Sequence, residues 1–204
     1  VARDGDTLFR IASVLVGDSK AIELRYLHGS RQAWLAPSLD FSDNNWKRLL
    51  FTPAQSNSRL DVLKRLGLTR DETELISKAM GERIDETPLT EIRFNSFVDA
   101  LLAHDVAGRL LEAHVSRRRE AVLGYLTQQN MFDGTPWALV DAGWSLNCQA
   151  ALKRIVEGKL QGQAAPIGFY FGLAKNHFSA DLAGIALYFT PVGSIFSRRR
   201  VVIE

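Results

Sequence analysis

The sequence has one cysteine, Cys148, and no hydrophobic run as long as a membrane span. A single cysteine excludes an intrachain disulfide and is typical of proteins from reducing compartments. A transmembrane helix needs about 20 consecutive, mainly apolar residues. We therefore expect a cytoplasmic protein without a membrane span. We interpret Cys148 as a structural thiol, because it falls in a predicted helix and no histidine stands at a suitable offset.

The chain also lacks a large net charge, because it has 25 Lys and Arg residues and 23 Asp and Glu residues. Proteins that bind nucleic acid usually carry a basic surplus on one face, so we expect no nucleic-acid partner. We interpret the arginine runs at residues 117–119 and 198–200 as solvated faces.

Several catalytic and binding motifs are missing from the chain. It contains no P-loop, no dinucleotide-binding glycine motif and no serine-hydrolase elbow. The four histidines have no metal-ligand spacing among themselves or with Cys148, which argues against a zinc site. These absences leave an α/β enzyme of another class, or a binding module, to be argued from the strand and helix pattern.

The first part of the chain has a strand–helix–strand pattern. Residues 1–5 resemble the end of a strand, and Asp6 is a good N-cap for a helix over residues 7–16. Residues 21–27 predict a further strand. Residues 201–204 stop the chain inside another strand pattern, so both ends look cut.

The middle of the chain predicts only helices, from about residue 37 to residue 130. Gly67, Gly81 and Pro88 supply helix stops. The predicted helices cover residues 45–51, 58–66, 71–80, 89–104 and 107–128.

After residue 134 strands and helices alternate again. Residues 137–140, 167–173 and 184–190 predict strands, and a helix is predicted over residues 146–157. This alternation indicates an α/β fold with a mainly parallel sheet of about four to five strands and flanking helices. We expect an α/β core from residues 1–36 and 134–204, with a large helical insertion at residues 37–133.

Three polar clusters follow predicted strands. They are Arg3-Asp4-Gly5-Asp6, Gly29-Ser30-Arg31 and Asp141-Ala142-Gly143-Trp144-Ser145. Ligands bind at the carboxyl ends of parallel strands, where helix N-termini present free N–H groups. Two carboxylates, two guanidiniums and a hydroxyl suit a phosphorylated ligand, with or without Mg²⁺ held by Asp4 and Asp141.

Structural alternatives stand beside each of these assignments. Asp6 and Ser145 are N-caps in the simplest interpretation, and Ser30 either caps a short helix through residue 36 or holds a ligand. Trp144 either packs in the core or stacks on a ligand. Asp4 and Asp141 either act in a site or only accept backbone N–H bonds.

Four segments, taken in order, resemble a known family. They are Arg3-Asp4-Gly5, Tyr26-Leu27-His28-Gly29-Ser30-Arg31-Gln32-Ala33, Val140-Asp141-Ala142-Gly143-Trp144 with Gln149, and Gly168-Phe169-Tyr170-Phe171-Gly172-Leu173. Together they resemble the region that follows the haloacid-dehalogenase (HAD) domain in large bacterial predicted hydrolases. That family is associated with glycosyltransferases and surface-polysaccharide synthesis. The resemblance implies that HAD and glycosyltransferase domains of the same protein are partners.

Two functions remain open at this point. The first is phosphate transfer or hydrolysis on a phosphorylated or nucleotide-linked sugar, in a HAD-like or phosphoribosyltransferase-like site. Asp4 and Asp141 are its catalytic or metal-binding residues, and the ligand-binding residues are Arg3, Gly5, Ser30, Arg31, Gly143, Trp144 and Gln149. The second function is a non-catalytic module that binds a ligand or partner and is fused to glycan-synthesis enzymes.

Overall fold

The structure, a computed structural model, describes residues 2–42, 46–51, 57–144, 147–160, 167–174, 184–190 and 201–203. The chain divides into two compact units. We call Val1–Arg31 with Leu123–Glu204 the sheet unit, and Gln32–Val122 the helical unit. The domain boundaries expected near residues 37 and 133 stay a prediction.

Helices make up most of the described elements. In chain order they are α1 (Ala2–Val16), α2 (Arg31–Leu35), α3 (Lys47–Leu50), α4 (Arg59–Leu66), α5 (Arg70–Met80), α6 (Glu91–Ala103), α7 (Asp105–Gln128) and α8 (Asn147–Val156), with a short 3-10 helix at Ala36–Ser38. No helix among the described residues has both the length and the apolar character needed to cross a membrane.

The strands in the part of the chain that the structure describes lie in its last third. They are β1 (Ala138–Trp144), β2 (Ile167–Ala174), β3 (Gly184–Thr190) and β4 (Val201–Ile203). They form one sheet in the order β1-β2-β3-β4. The β1–β2 and β2–β3 pairs are parallel, whereas β4 runs antiparallel to β3.

The helical unit is built around one hydrophobic core with Leu50, Leu63, Phe94 and Leu111 among its fully buried residues. Local signals set its helix ends. Ser58 begins α4 with a capping box to Asp61, and Thr69 begins α5 with a capping box to Glu72. Gly67 and Gly81 end α4 and α5 in the left-handed region, with φ of 78° and 65°. The two glycine stops predicted from the sequence are thereby confirmed.

The predicted α/β fold class is wrong, because the described residues are mainly helical and the strands among them lie within residues 138–203. Residues 21–27 have the composition of a strand but are irregular. Arg25 donates from Nη1 to the Gln129 carbonyl, 2.5 Å away. His28, just after this segment, donates its backbone N–H to the Tyr125 hydroxyl. A segment rich in residues that favour strands forms a strand only when it pairs with another strand. Residues 21–27 and His28 instead form hydrogen bonds with the end of α7.

The N-terminal residues also differ from expectation. Helix α1 covers Ala2–Val16, so residues 2–5 are helical rather than a strand end and Asp6 lies inside the helix rather than at its cap. The sequence pattern is compatible with a helix throughout, because no proline interrupts it.

Candidate functional site

The parallel strands β1 and β2 have one buried and one exposed face. Asp141 pairs in register with Tyr170, and Val140 pairs with Phe169. Side chains alternate along a strand, so Asp141 and Tyr170 share one face and Val140 and Phe169 share the other. Tyr170 is only 2% exposed, whereas Val140 and Phe169 are 59% and 41% exposed. We call the first the inner face and the second the open face.

Helix α8 contributes to the inner face through its first turn. Gln149 is buried there, and its Oε1 accepts a hydrogen bond from the Tyr170 hydroxyl. Cys148, the preceding residue, is half-buried and has an interaction partner. Asp141 is half-buried on the adjoining strand. The four side chains form the inner cluster, defined as Asp141, Cys148, Gln149 and Tyr170.

The electrostatics of the inner cluster keep the tyrosine neutral. Burial raises the pKa of the Tyr170 phenol far above its ordinary value, and electrostatic interactions with Asp141 and Cys148 raise it further. Tyr170 therefore remains a hydrogen-bond donor, and Gln149 is its acceptor.

Gly168 makes room for this arrangement. A Cβ at Gly168 would overlap the ring of Tyr170, two residues along the same strand and on the same face. Any larger residue would push the ring away from Gln149, so the glycine is required by the tyrosine's position.

Two predicted site residues, Asp141 and Gln149, meet in the inner cluster. Sequence reasoning assigned Gln149 to ligand binding, but its carbonyl oxygen is occupied by Tyr170. It did not assign Tyr170 to the site, and it interpreted Cys148 as a structural thiol. The alternation of β2 could have placed Tyr170 on the same face as its buried neighbours, but its partner on α8 depends on the tertiary fold.

The remaining predicted site residues lie elsewhere in the sheet unit or outside the described side chains. Arg3, Asp4 and Gly5 lie in helix α1. A Cβ built on Gly5 would lie 3.5 Å from the Tyr26 hydroxyl oxygen, so this position of α1 packs against the Tyr26 ring. Ser30 is half-buried and has an interaction partner. Helix α2 begins directly after it, as expected if Ser30 caps a short helix.

The side chains of Arg3, Asp4, Arg31 and Trp144, and the surroundings of Gly143, lie outside the described residues. Convergence of Asp4, Ser30 and Asp141 therefore stays a prediction. Within the described side chains, no group of three His, Cys, Asp or Glu could hold a metal ion. Because Asp4 is not among them, the Mg²⁺ site with Asp141 also stays a prediction.

The open face carries three large apolar side chains on neighbouring strands: Val140, Ile167 and Phe169. Ile167 is 46% exposed. Parallel sheets usually have both faces covered, because their strands are apolar on both sides. A contiguous apolar patch of this kind is typical of an interaction surface.

Comparison with known proteins adds no family to these observations. No protein-family model matches the chain, and a search of curated proteins found no significant match.

Proposed function

We propose that the chain is a non-catalytic binding module whose open face docks onto a HAD domain of the same protein. The observation that carries this proposal is the contrast between the two faces of the β1–β2 pair. One face is buried and hydrogen-bonded to α8, and the other exposes Val140, Ile167 and Phe169. The resemblance to the region after a HAD domain supplies the identity of the partner and the link to surface-polysaccharide synthesis.

The state of the inner cluster supports a structural role for it. A catalytic site needs polar groups that are free to contact a substrate. Tyr170 and Gln149 are instead both buried and bonded to each other. A pair of this kind stabilises the packing of α8 on the sheet, because each buried polar group satisfies the other.

The open face has the chemistry of a docking surface. Full burial of a large aliphatic or aromatic side chain contributes about 1.5–3 kcal/mol. Three such side chains side by side would form the apolar centre of an interface, which is where binding energy concentrates. A single charged residue placed in that centre would be desolvated without a partner, so it would strongly oppose binding.

The test measures, by calorimetry, the binding of this chain to the HAD domain, with the two prepared as separate proteins. Val140→Lys should weaken binding at least tenfold. Ile92→Lys is the matched control, because Ile92 is an exposed isoleucine on α6 in the other unit. Equal binding by both variants, with both folded, would remove the open face as the docking surface.

A second candidate is the enzyme acting on a phosphorylated or nucleotide-linked sugar. Asp141 favours it, because this carboxylate, at the middle of β1, is half-buried beside the buried Tyr170 of β2. Asp141→Asn in the whole protein would then abolish glycan production without lowering the melting temperature. Unchanged production at unchanged stability would exclude this role for Asp141.

A further inference from the structure

Helix α1 has two apolar faces, one half-buried and the other exposed. The half-buried residues recur at helical spacing and are Gly5, Leu8, Phe9, Ala12 and Val16. On this face the ring of Phe9 meets the ring of Tyr26 edge to face, with 5.7 Å between the two centroids. The half-buried face therefore holds α1 on its own unit.

The opposite face exposes a second group of apolar side chains, Ile11, Val14 and Leu15, which we call the α1 patch. Val14 and Leu15 are 82% and 80% exposed, the highest values among the large apolar side chains that the structure describes. Residues three and four positions apart are neighbours on a helix surface, so the three side chains form one continuous patch. Exposed apolar patches of this kind are typical of interaction surfaces.

Charged residues stand on both sides of the α1 patch along the chain. Asp6 and Arg10 precede it, Asp18 and Lys20 follow it, and all four are exposed. Their order is negative, positive, then negative, positive again. A two-fold axis through the middle of the patch would bring Arg10 of one copy beside Asp18 of a second copy. The same axis would bring Asp6 beside Lys20, so opposite charges would meet in both cases.

We propose that the α1 patch is a homodimer interface, in which the α1 helices of two copies pack antiparallel across a two-fold axis. The occupant is a second copy of this chain because the charge order complements itself when it is reversed. A parallel arrangement would instead set Arg10 against Arg10 and Asp18 against Asp18. Antiparallel packing also places the positive end of each helix dipole beside the negative end of the other.

The size of the α1 patch sets the expected strength of the dimer. Interfaces that bury less than about 1,200 Å² in total are generally weak or transient. One exposed face of a 15-residue helix is a small interface. We therefore expect a reversible dimer whose population rises with protein concentration. This dimer does not depend on the open face, which the proposed function assigns to a different partner.

The test measures the mass of the full chain in solution by analytical ultracentrifugation, from about 1 μM to about 1 mM. The wild type should shift from monomer to dimer across this range. Val14→Lys should weaken the association by at least about tenfold, because it places unpaired charges in the centre of the interface. Ile92→Lys, at a similarly exposed position on α6, is the matched control and should associate like the wild type. A chain that stays monomeric throughout, or a Val14→Lys variant that dimerises normally, would overturn the proposal.

A charge-reversal experiment tests the antiparallel arrangement itself. Arg10→Asp and Asp18→Arg should each weaken self-association, because like charges then meet across the interface. An equimolar mixture of the two variants should dimerise again, since both contacts in the mixed dimer join opposite charges. Circular dichroism checks that each variant keeps the helical content of the wild type. A mixture that associates no better than either folded variant alone rules out the antiparallel dimer.

Discussion

Arg118 of α7 donates from Nη2 to the carbonyl oxygen of Gly67, 2.9 Å away, and so binds the C-terminus of α4. Its two neighbours are also engaged. Arg117 binds Glu72, and Arg119 donates to the carbonyls of Pro37 and Leu39. The interpretation of residues 117–119 as a solvated face is therefore wrong for Arg118 and Arg119, which are half-buried, whereas Arg117 is exposed. The run supplies three separate contacts between α7 and the rest of the helical unit.

Arg119→Ala should destabilise the helical unit. Its guanidinium donates to two backbone carbonyls, at 2.7 Å and 2.6 Å, and hydrogen bonds that involve a charged group contribute about 1.5–3 kcal/mol. We expect a loss of about 2 kcal/mol in urea unfolding. Arg70→Ala is the control, because Arg70 forms an exposed i,i+4 pair with Glu74, and its substitution should cost less than about 0.5 kcal/mol. Equal losses would show that Arg119 adds nothing beyond a surface ion pair.

Gly67→Ala should cost more stability than Gly81→Ala. Both glycines end a helix with positive φ, so both substitutions strain the backbone by about 1 kcal/mol. Only at Gly67 would the new Cβ meet another group, the Arg118 guanidinium at 2.8 Å, whereas nothing lies within 4 Å at Gly81. The measurement is the difference in unfolding free energy between the two variants. If the difference disappears in an Arg118→Ala background, the guanidinium contact is its cause.

Tyr170→Phe should destabilise the sheet unit. The substitution leaves the buried Gln149 carbonyl without its donor, which costs about 1–3 kcal/mol. Adding Gln149→Leu removes the unsatisfied group, so the double variant should recover part of the loss. A double variant that is as unstable as the sum of the two single ones would show that the two residues act independently.

The same tyrosine predicts a loss of stability at alkaline pH. The pKa of Tyr170 is raised in the folded protein, so the folded state holds the phenol proton more tightly than the unfolded chain. The contribution of Tyr170 to the free energy of unfolding is fully present below the ordinary tyrosine pKa of about 10 and falls as the pH rises above it. Ultraviolet absorbance of the phenolate should show Tyr170 titrating only as the sheet unit unfolds. Tyr170→Phe should reduce the alkaline loss.

The interactions of Glu72 predict that the helical unit loses stability at acidic pH. Burial acts to raise the pKa of its carboxyl, but hydrogen bonds from Thr69 and His114 outweigh it and lower the pKa. A carboxyl with a lowered folded pKa stabilises above its ordinary value and loses that contribution as pH falls through the folded pKa. Glu72→Gln should flatten the acid side of the stability profile, whereas the exposed Glu74→Gln should not. An unchanged acid profile in Glu72→Gln would exclude this linkage.

The helix ends were predictable from the sequence because their signals are local. Ser58 and Thr69 each meet an acidic residue three positions later, and Gly67 and Gly81 follow directly after an apolar-periodic segment. Strands β2 and β3 were also predictable, since each is a dense apolar run between breaks. These features depend on residues within one turn or one strand of each other.

The sequence by itself determined where most helices of the middle segment begin and end, and which late segments are strands. Only the tertiary structure decided that residues 21–27 are irregular, that Tyr170 meets Gln149, and that His114 lies between Glu72 and the Leu66 carbonyl. The physical reason is range. A capping box is complete within four residues, whereas a strand, a buried polar pair and a bridging histidine each need a partner that the chain brings near only by folding.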